Sequence, residues 1–181
     1  IPEVPKRDRI QMRELAHGFS EVIAHYGFMQ TPNVPLALRR AAEQDHVKGI
    51  TALGIRNVSS TAKDGYEAAR KMGDDILSVR QIRKLGIEAT LARIPKGIDY
   101  YLTIDIDGFD PSIAPGTGTP SHGGFLYYEV LELIDGLTKQ GNIIGIDLVE
   151  VAPDYDHSGT TTILAAQILL NTIGRIAHNR G

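Results

Sequence analysis

YYLTIDID, residues 100–107, is an apolar run that ends in two carboxylates. Its length and its content of tyrosine and isoleucine are typical of a buried strand. Glycine and proline then recur through residues 108–124, where a loop is expected. The run therefore predicts a strand whose carboxyl end opens into a long loop.

Apolar runs of strand length alternate with helical spacing along most of the chain. We predict further strands at 49–55, 75–79 and 143–151, and helices at 60–72, 81–94, 127–139 and 160–177. Such alternation indicates a parallel sheet with helices on both faces, because right-handed crossovers place the helices there. The expected class is α/β, a three-layer α/β/α fold with residues 1–181 in a single domain. The first 35 residues contain four prolines and are predicted to be irregular.

Composition excludes several classes of protein. The chain has 181 residues and a net charge of -3. Because it has no cysteine, disulfide frameworks and thiolate metal sites are excluded. Basic residues are scattered among acids, which argues against nucleic-acid and membrane partners, and no apolar run is long enough to span a bilayer. A cytoplasmic location is the expectation. Because the sequence begins at Ile1, we also expect a processed or partial form of a longer protein.

Asp105 and Asp107 are the first candidates for chemistry. They stand two residues apart in the predicted strand, so alternation should point both to the same face. Like charges held this close favour a cation between them, and Mn²⁺ or Mg²⁺ prefers carboxylate oxygens. The structural alternative is that one aspartate caps the following turn while the other is solvated.

The residues after the two aspartates make the pattern long and specific. TIDIDGFDPSIAPGTGTPSHGG, residues 103–124, resembles the C-terminal metal-binding signature of the ureohydrolases, the arginase/agmatinase family, and is most similar to agmatinases and guanidino acid hydrolases. The resemblance covers about residues 39–181, the C-terminal part of the family's fold, so the N-terminal part is expected to be missing. It implies that Asp105 and Asp107 bind a pair of manganese ions.

Glu150 is the second candidate of the site. It closes the predicted strand IIGIDLVEV, residues 143–151, in a context that resembles the family's last active-site strand, where a glutamate binds the guanidinium of the substrate. A carboxylate suits this role because it accepts two parallel hydrogen bonds from a planar guanidinium. The alternative is a salt bridge at the end of a strand. Asp147, inside the same run, is predicted to be a structural hydrogen-bond acceptor.

The resemblance implies a reaction as well as a fold. It implies hydrolysis of agmatine or a guanidino acid to urea and an amine by a hydroxide that bridges two Mn²⁺ ions, in a homo-oligomer that is a trimer or a hexamer. Guanidinobutyrase or formimidoylglutamase activity stays open within the enzyme class. A degenerate, non-catalytic subunit of the same fold is the alternative outside it.

The region upstream of the match lacks the family's other metal motifs. These are a histidine after a pair of glycines and a strand that reads Asp-Ala-His-x-Asp. His17 and His25 lie in this region, but no aspartate stands two residues before either one, and no apolar strand is predicted to lead into them. We therefore expect weak metal binding by this chain.

Overall fold

The computed structural model describes residues 21–25, 41, 44–55 and 63–180. Its strands are β1 (Glu21–His25), β2 (Gly49–Leu53), β3 (Asp75–Leu77), β4 (Asp99–Asp105) and β5 (Asn142–Val149). Its helices are α1 (Lys63–Lys71), α2 (Val79–Leu85), α3 (Ile87–Leu91), α4 (Tyr127–Gln140) and α5 (Thr160–Arg180). In the described part of the chain, no helix is both long enough and apolar enough to cross a membrane.

All five strands lie in one parallel sheet, in the order β3-β2-β1-β4-β5. Alternation along β4 divides the sheet between two apolar clusters: Leu102 and Ile104 face the larger one, and Tyr101 packs against the smaller one around Ile50 and Ala52. Buried residues of α4 and α5, such as Ile134 and Ile168, complete the larger cluster. The predicted α/β class with a parallel sheet is confirmed.

The prediction that the first 35 residues are irregular is wrong for β1, and so is the prediction that no strand leads into His25. β1 is the central strand of the sheet, paired with β2 on one side and β4 on the other. Only Val22, Ile23 and Ala24 form its apolar run. A run that short does not establish a period, so the sequence alone did not reveal the strand.

The strand predicted at 75–79 ends early because a helix cap follows it. The hydroxyl of Ser78 accepts a hydrogen bond from the Gln81 backbone N–H at 3.2 Å, and the Gln81 side chain accepts one from the Ser78 N–H at 2.9 Å. This capping box starts α2 at Val79. The single helix predicted at 81–94 is also wrong, since Gly86 has φ = 88° and separates α2 from α3.

The loop after β4 is closed by its two ends. Phe109 and Phe125 form a parallel bridge, with hydrogen bonds from Asp110 N–H to the Phe125 carbonyl and from Phe125 N–H to the Gly108 carbonyl, both at 2.9 Å. The two phenylalanines are 1% and 0% exposed, so these bonds are shielded from water. The loop is therefore anchored in the core.

A side chain of α2 holds the far end of the loop. Arg83 donates to the Gly124 carbonyl at 2.8 Å and makes two hydrogen bonds to the Glu129 carboxylate, at 2.8 and 2.9 Å. Glu129 in turn accepts the Leu126 N–H at 2.7 Å, at the start of α4. These contacts join the loop, α2 and α4.

Gly124→Ala should destabilise the fold, because the added Cβ would lie 2.3 Å from the backbone carbon of Phe109 and 2.4 Å from the Asp110 nitrogen. We expect the free energy of unfolding to fall by about 2 kcal/mol or more. Gly118→Ala, in the same loop, is the control, since its Cβ meets nothing within 4 Å, and it should change stability by less than about 0.5 kcal/mol. Urea denaturation measures both, and equal losses would contradict the clash.

Candidate metal and substrate site

Asp105 and Asp107 lie at the carboxyl end of β4, where β4 gives way to a 3₁₀ turn at Ile106–Gly108. Asp105 is 2% exposed and Asp107 is 1% exposed. The Asp107 N–H donates to Asp105 Oδ1 at 2.8 Å. Burial of two neighbouring carboxylates is expensive unless partners or a cation offset it.

The prediction that both aspartates belong to one strand is wrong, because β4 ends at Asp105. The Asp105 carboxylate caps the turn through the Asp107 N–H, which is the local hydrogen bond that aspartate offers in competition with a strand ladder. This capping was the first half of the structural alternative. The second half is wrong, since Asp107 is buried rather than solvated.

Thr119 is a site residue that the sequence reasoning missed. Its hydroxyl donates a short hydrogen bond to Asp107 Oδ2 across the loop. The only signal for it was the threonine repeated in GTGTP inside the signature. The loop closure described above brings this residue back to the end of β4.

Asp147 on β5 accepts hydrogen bonds from two side chains of β4. Tyr101 donates its hydroxyl to Asp147 Oδ2 at 2.8 Å, and Thr103 donates to Oδ1 at 2.5 Å. Burial, followed by the bond to Asp147, raises the pKa of Tyr101. The prediction that Asp147 is a structural acceptor is confirmed.

Glu150 lies one residue beyond β5 rather than in it, since the strand ends at Val149. Its φ of 65° is the only positive value among non-glycine residues in the described part of the chain. A left-handed residue cannot continue a strand, which explains why the strand predicted at 143–151 stops early. Glu150 is exposed, so its carboxylate is accessible to a ligand.

Register places the candidate acids at the same edge of the sheet. Asp105 pairs with Val149, the residue immediately before Glu150. The carboxyl ends of parallel strands are where open α/β sheets bind ligands. β1 ends there too, because His25 is in register with Ile104, the residue before Asp105.

The donor chemistry of this edge fits a hard divalent ion. Asp105 and Asp107 offer carboxylate oxygens, which Mn²⁺ and Mg²⁺ prefer. Among residues 21–25, 41, 44–55 and 63–180, no group of three or more histidine, aspartate or glutamate side chains is arranged to hold a metal. Two carboxylates are fewer ligands than such an ion takes, so Asp105 and Asp107 by themselves would make an incomplete ligand set.

Asp110 fixes the shape of the loop beside this pair. Its carboxylate accepts the backbone N–H of Ser112 at 3.0 Å and that of Gly123 at 2.8 Å. The Ser112 hydroxyl has the largest effect, and together with the backbone N–H groups of Ser112, Gly123 and Gly124 it lowers the pKa of Asp110 to about 2. The ionised form of Asp110 is therefore the one that the loop stabilises.

Comparison with known proteins shows which protein family this chain resembles. The family model described as the arginase family matches residues 25–174, which begins earlier than the sequence motifs indicated. The chain is 37% identical to a guanidinobutyrase from Pseudomonas aeruginosa over 84% of this chain and 46% of that protein. It is 47% identical to an agmatinase from Chromobacterium violaceum over 54% of this chain and 31% of that protein. The chain thus spans less than half the length of these curated relatives.

A solved structure of a related hydrolase has the same fold. Proclavaminate amidino hydrolase from Streptomyces clavuligerus superposes with a TM-score of 0.77 and 27% identity, over 93% of this chain and 60% of that one. The described sheet therefore has the fold of these hydrolases.

The low pKa of Asp110 predicts a specific dependence of stability on pH. Because folding lowers this pKa, the stabilisation is complete above the ordinary aspartate value of about 4 and is lost as the pH falls through about 2. Because Asp110 is partly exposed and solvent screens its interactions, the wild type should lose on the order of 1 kcal/mol more unfolding free energy than Asp110→Asn between pH 5 and 2. Ser112→Ala should raise the Asp110 pKa, measured by NMR titration of the carboxyl carbon. An unchanged pKa in that variant would show that the Ser112 hydroxyl is not the cause.

Proposed function

The chain belongs to the arginase family, and from this membership we propose that it hydrolyses a guanidino compound, agmatine or a guanidino acid, to urea and an amine. The observation that carries the proposal is the meeting of Asp105, Asp107 and Glu150 at the carboxyl ends of β4 and β5. The names of the relatives, guanidinobutyrase and agmatinase, support the substrate class.

Asp105 and Asp107 would hold manganese in this proposal. Bound divalent ions would supply Lewis acidity, which polarises water and the carbon to be attacked. The protein's own contribution is to present the two carboxylates in a fixed orientation. Thr119 does this for Asp107 and the Asp107 N–H does it for Asp105, so one oxygen of each carboxylate has a protein donor.

His25 is proposed as a further contributor at the same edge. It ends β1, and its backbone lies in register between Leu53 and Ile104. The absence of an apolar strand was one of the two reasons for leaving this histidine out of the site, and β1 removes that reason. The other reason stands, since Ile23 rather than an aspartate precedes His25 by two residues. Neutral imidazole is the commonest metal ligand among protein side chains.

Glu150 would bind the guanidinium. Its carboxylate can accept two parallel N–H bonds, and its exposure leaves it open to a substrate. The left-handed backbone turns the chain at Glu150 directly after the strand, at the same end of the sheet as Asp105. A substrate held by Glu150 would have its guanidinium carbon directed to that edge.

A non-catalytic member of the family is the second candidate. The observation that favours it is the absence of a third metal-binding side chain grouped with Asp105 and Asp107 in the part that the structure describes. The two candidates differ in one measurable property: the hydrolase binds Mn²⁺ and releases urea, and the non-catalytic protein does neither.

Charge-removing variants test the assignment of roles. Asp105→Asn and Asp107→Asn should abolish Mn²⁺ binding in isothermal titration and lower urea release by about 100-fold or more. Glu150→Gln should keep Mn²⁺ binding but lower kcat/KM by about 10 to 100-fold, the value of a charge-assisted bidentate contact. Agmatine and 4-guanidinobutyrate are the two substrates to compare.

Glu132→Gln, on the exposed side of α4, is the matched control and should change neither property. A folded wild-type chain that binds Mn²⁺ but releases urea from no guanidino compound would reject the hydrolase. Failure of the wild type to bind Mn²⁺ would favour the non-catalytic protein.

A further inference from the structure

Gly116 connects the loop after β4 to the segment after β5. The Ala152 N–H donates to the Gly116 carbonyl at 2.8 Å, and the Gly116 N–H donates to the Thr161 hydroxyl at 2.7 Å. Both backbone polar groups of this glycine are thus bonded to residues that follow β5. Gly116 is three residues before Thr119, and Ala152 is two residues after Glu150.

Gly116 lies so close to Asp156 and Thr161 that no residue with a side chain fits at this position. A Cβ at this position would lie 2.5 Å from the Cβ of Asp156 and 2.9 Å from the Thr161 hydroxyl. Thr161 is 0% exposed and Asp156 is 7% exposed, so water does not compete for their hydrogen bonds. At this point the backbone of the loop after β4 packs directly against side chains of the segment after β5.

Asp156 organises the other side of this contact. Its carboxylate accepts the Thr161 N–H at 2.5 Å, the Ser158 hydroxyl at 2.7 Å and the Ser158 N–H at 3.1 Å. The Ser158 hydroxyl and then the Thr161 N–H lower the pKa of Asp156. The first turn of α5 is therefore tied to the loop that follows β5, and Thr161 is held against Gly116.

We propose that Gly116, Asp156 and Thr161 form a positioning lock that keeps Glu150 at one fixed place relative to Asp105 and Asp107. The lock acts through Ala152 on the Glu150 side and through the Gly116–Thr119 segment on the Asp107 side. None of its three residues is needed in contact with a substrate. The catalytic meaning of the lock rests on the proposed function, whereas its mechanical action does not.

The disfavoured backbone conformation of Glu150 is what the lock would stabilise. A non-glycine residue at φ = 65° is in a disfavoured backbone region and persists only when neighbouring contacts hold it. The Ala152–Gly116 bond is such a contact, two residues away. Releasing the lock should therefore let the segment around Glu150 relax to ordinary backbone angles.

Hydrogen exchange of single amides, measured by NMR on the full chain, tests the lock without turnover. Thr161→Val removes the hydroxyl at nearly constant volume. Exchange at the Ala152 N–H, which is not bonded to Thr161 itself, should accelerate about tenfold, and Thr161→Ser should keep the wild-type rate. The Gly123 N–H, bonded to Asp110 at the other end of the loop, should not change.

Thr172→Val is the matched control. Thr172 is also on α5, is also 0% exposed, and its hydroxyl donates to the Ile168 carbonyl of its own helix at 2.7 Å. It should lower stability as Thr161→Val does but leave Ala152 exchange unchanged. Ser158→Ala, an exposed change that removes one donor to Asp156, should accelerate Ala152 exchange more weakly and tests the lock even if Thr161→Val does not fold.

Kinetics add the functional readout. In Mn²⁺-loaded protein, Thr161→Val should raise KM for agmatine or 4-guanidinobutyrate about tenfold with a smaller change in kcat, and Thr161→Ser should restore it. Unchanged Ala152 exchange in Thr161→Val and Ser158→Ala, or equal acceleration in Thr172→Val, would overturn the lock. A wild type without any turnover would overturn the proposed function instead, and the amide rates would still decide whether the lock exists.

Discussion

The burial of Asp105 and Asp107 is the constraint on which the rest of this structure depends. Two carboxylates that are 2% and 1% exposed have lost almost all of their water. Carboxylates in such surroundings must be offset by donors or by a cation. The turn after β4 supplies one donor, the Asp107 N–H, and the long loop supplies another, Thr119. The Phe109–Phe125 bridge and the Arg83 contacts have a common effect, which is to hold that loop where Thr119 reaches Asp107.

Parallel topology explains why Glu150 lies at the same end of the sheet as these carboxylates. β4 and β5 are adjacent and Asp105 pairs with Val149, so Glu150, the residue after Val149, stands one residue past the level of Asp105. The same pairing carries the Asp147 hydrogen bonds to Tyr101 and Thr103, which tie the two strands together just before their ends. The site is thus built on the sheet, and the loops only complete it.

The sequence predicted those features that depend on hydrophobic periodicity and on residue composition. Strand β4, the α/β class and the acceptor role of Asp147 all follow from alternation and from the need of a buried acid for partners. β1 was missed because its apolar run is short, although pairing on both sides stabilises it as the central strand. The break at Gly86 was missed because the periodicity of α2 and α3 continues across it, while only the backbone angle of the glycine separates them.

At the candidate site, the local backbone conformation could not be predicted from the sequence. Asp107 and Glu150 were both predicted in strands, and both lie just past one: a side-chain cap ends β4, and a left-handed residue ends β5. In each case the departure from the strand places the acid in its observed position. An extended Glu150 would continue the direction of β5, whereas the left-handed backbone requires the next residues to turn back, where Ala152 meets Gly116. The backbone strain at Glu150 and the closeness of Gly116 to Asp156 are therefore linked features, because the turn at Glu150 brings the segment after β5 onto the loop that carries Thr119.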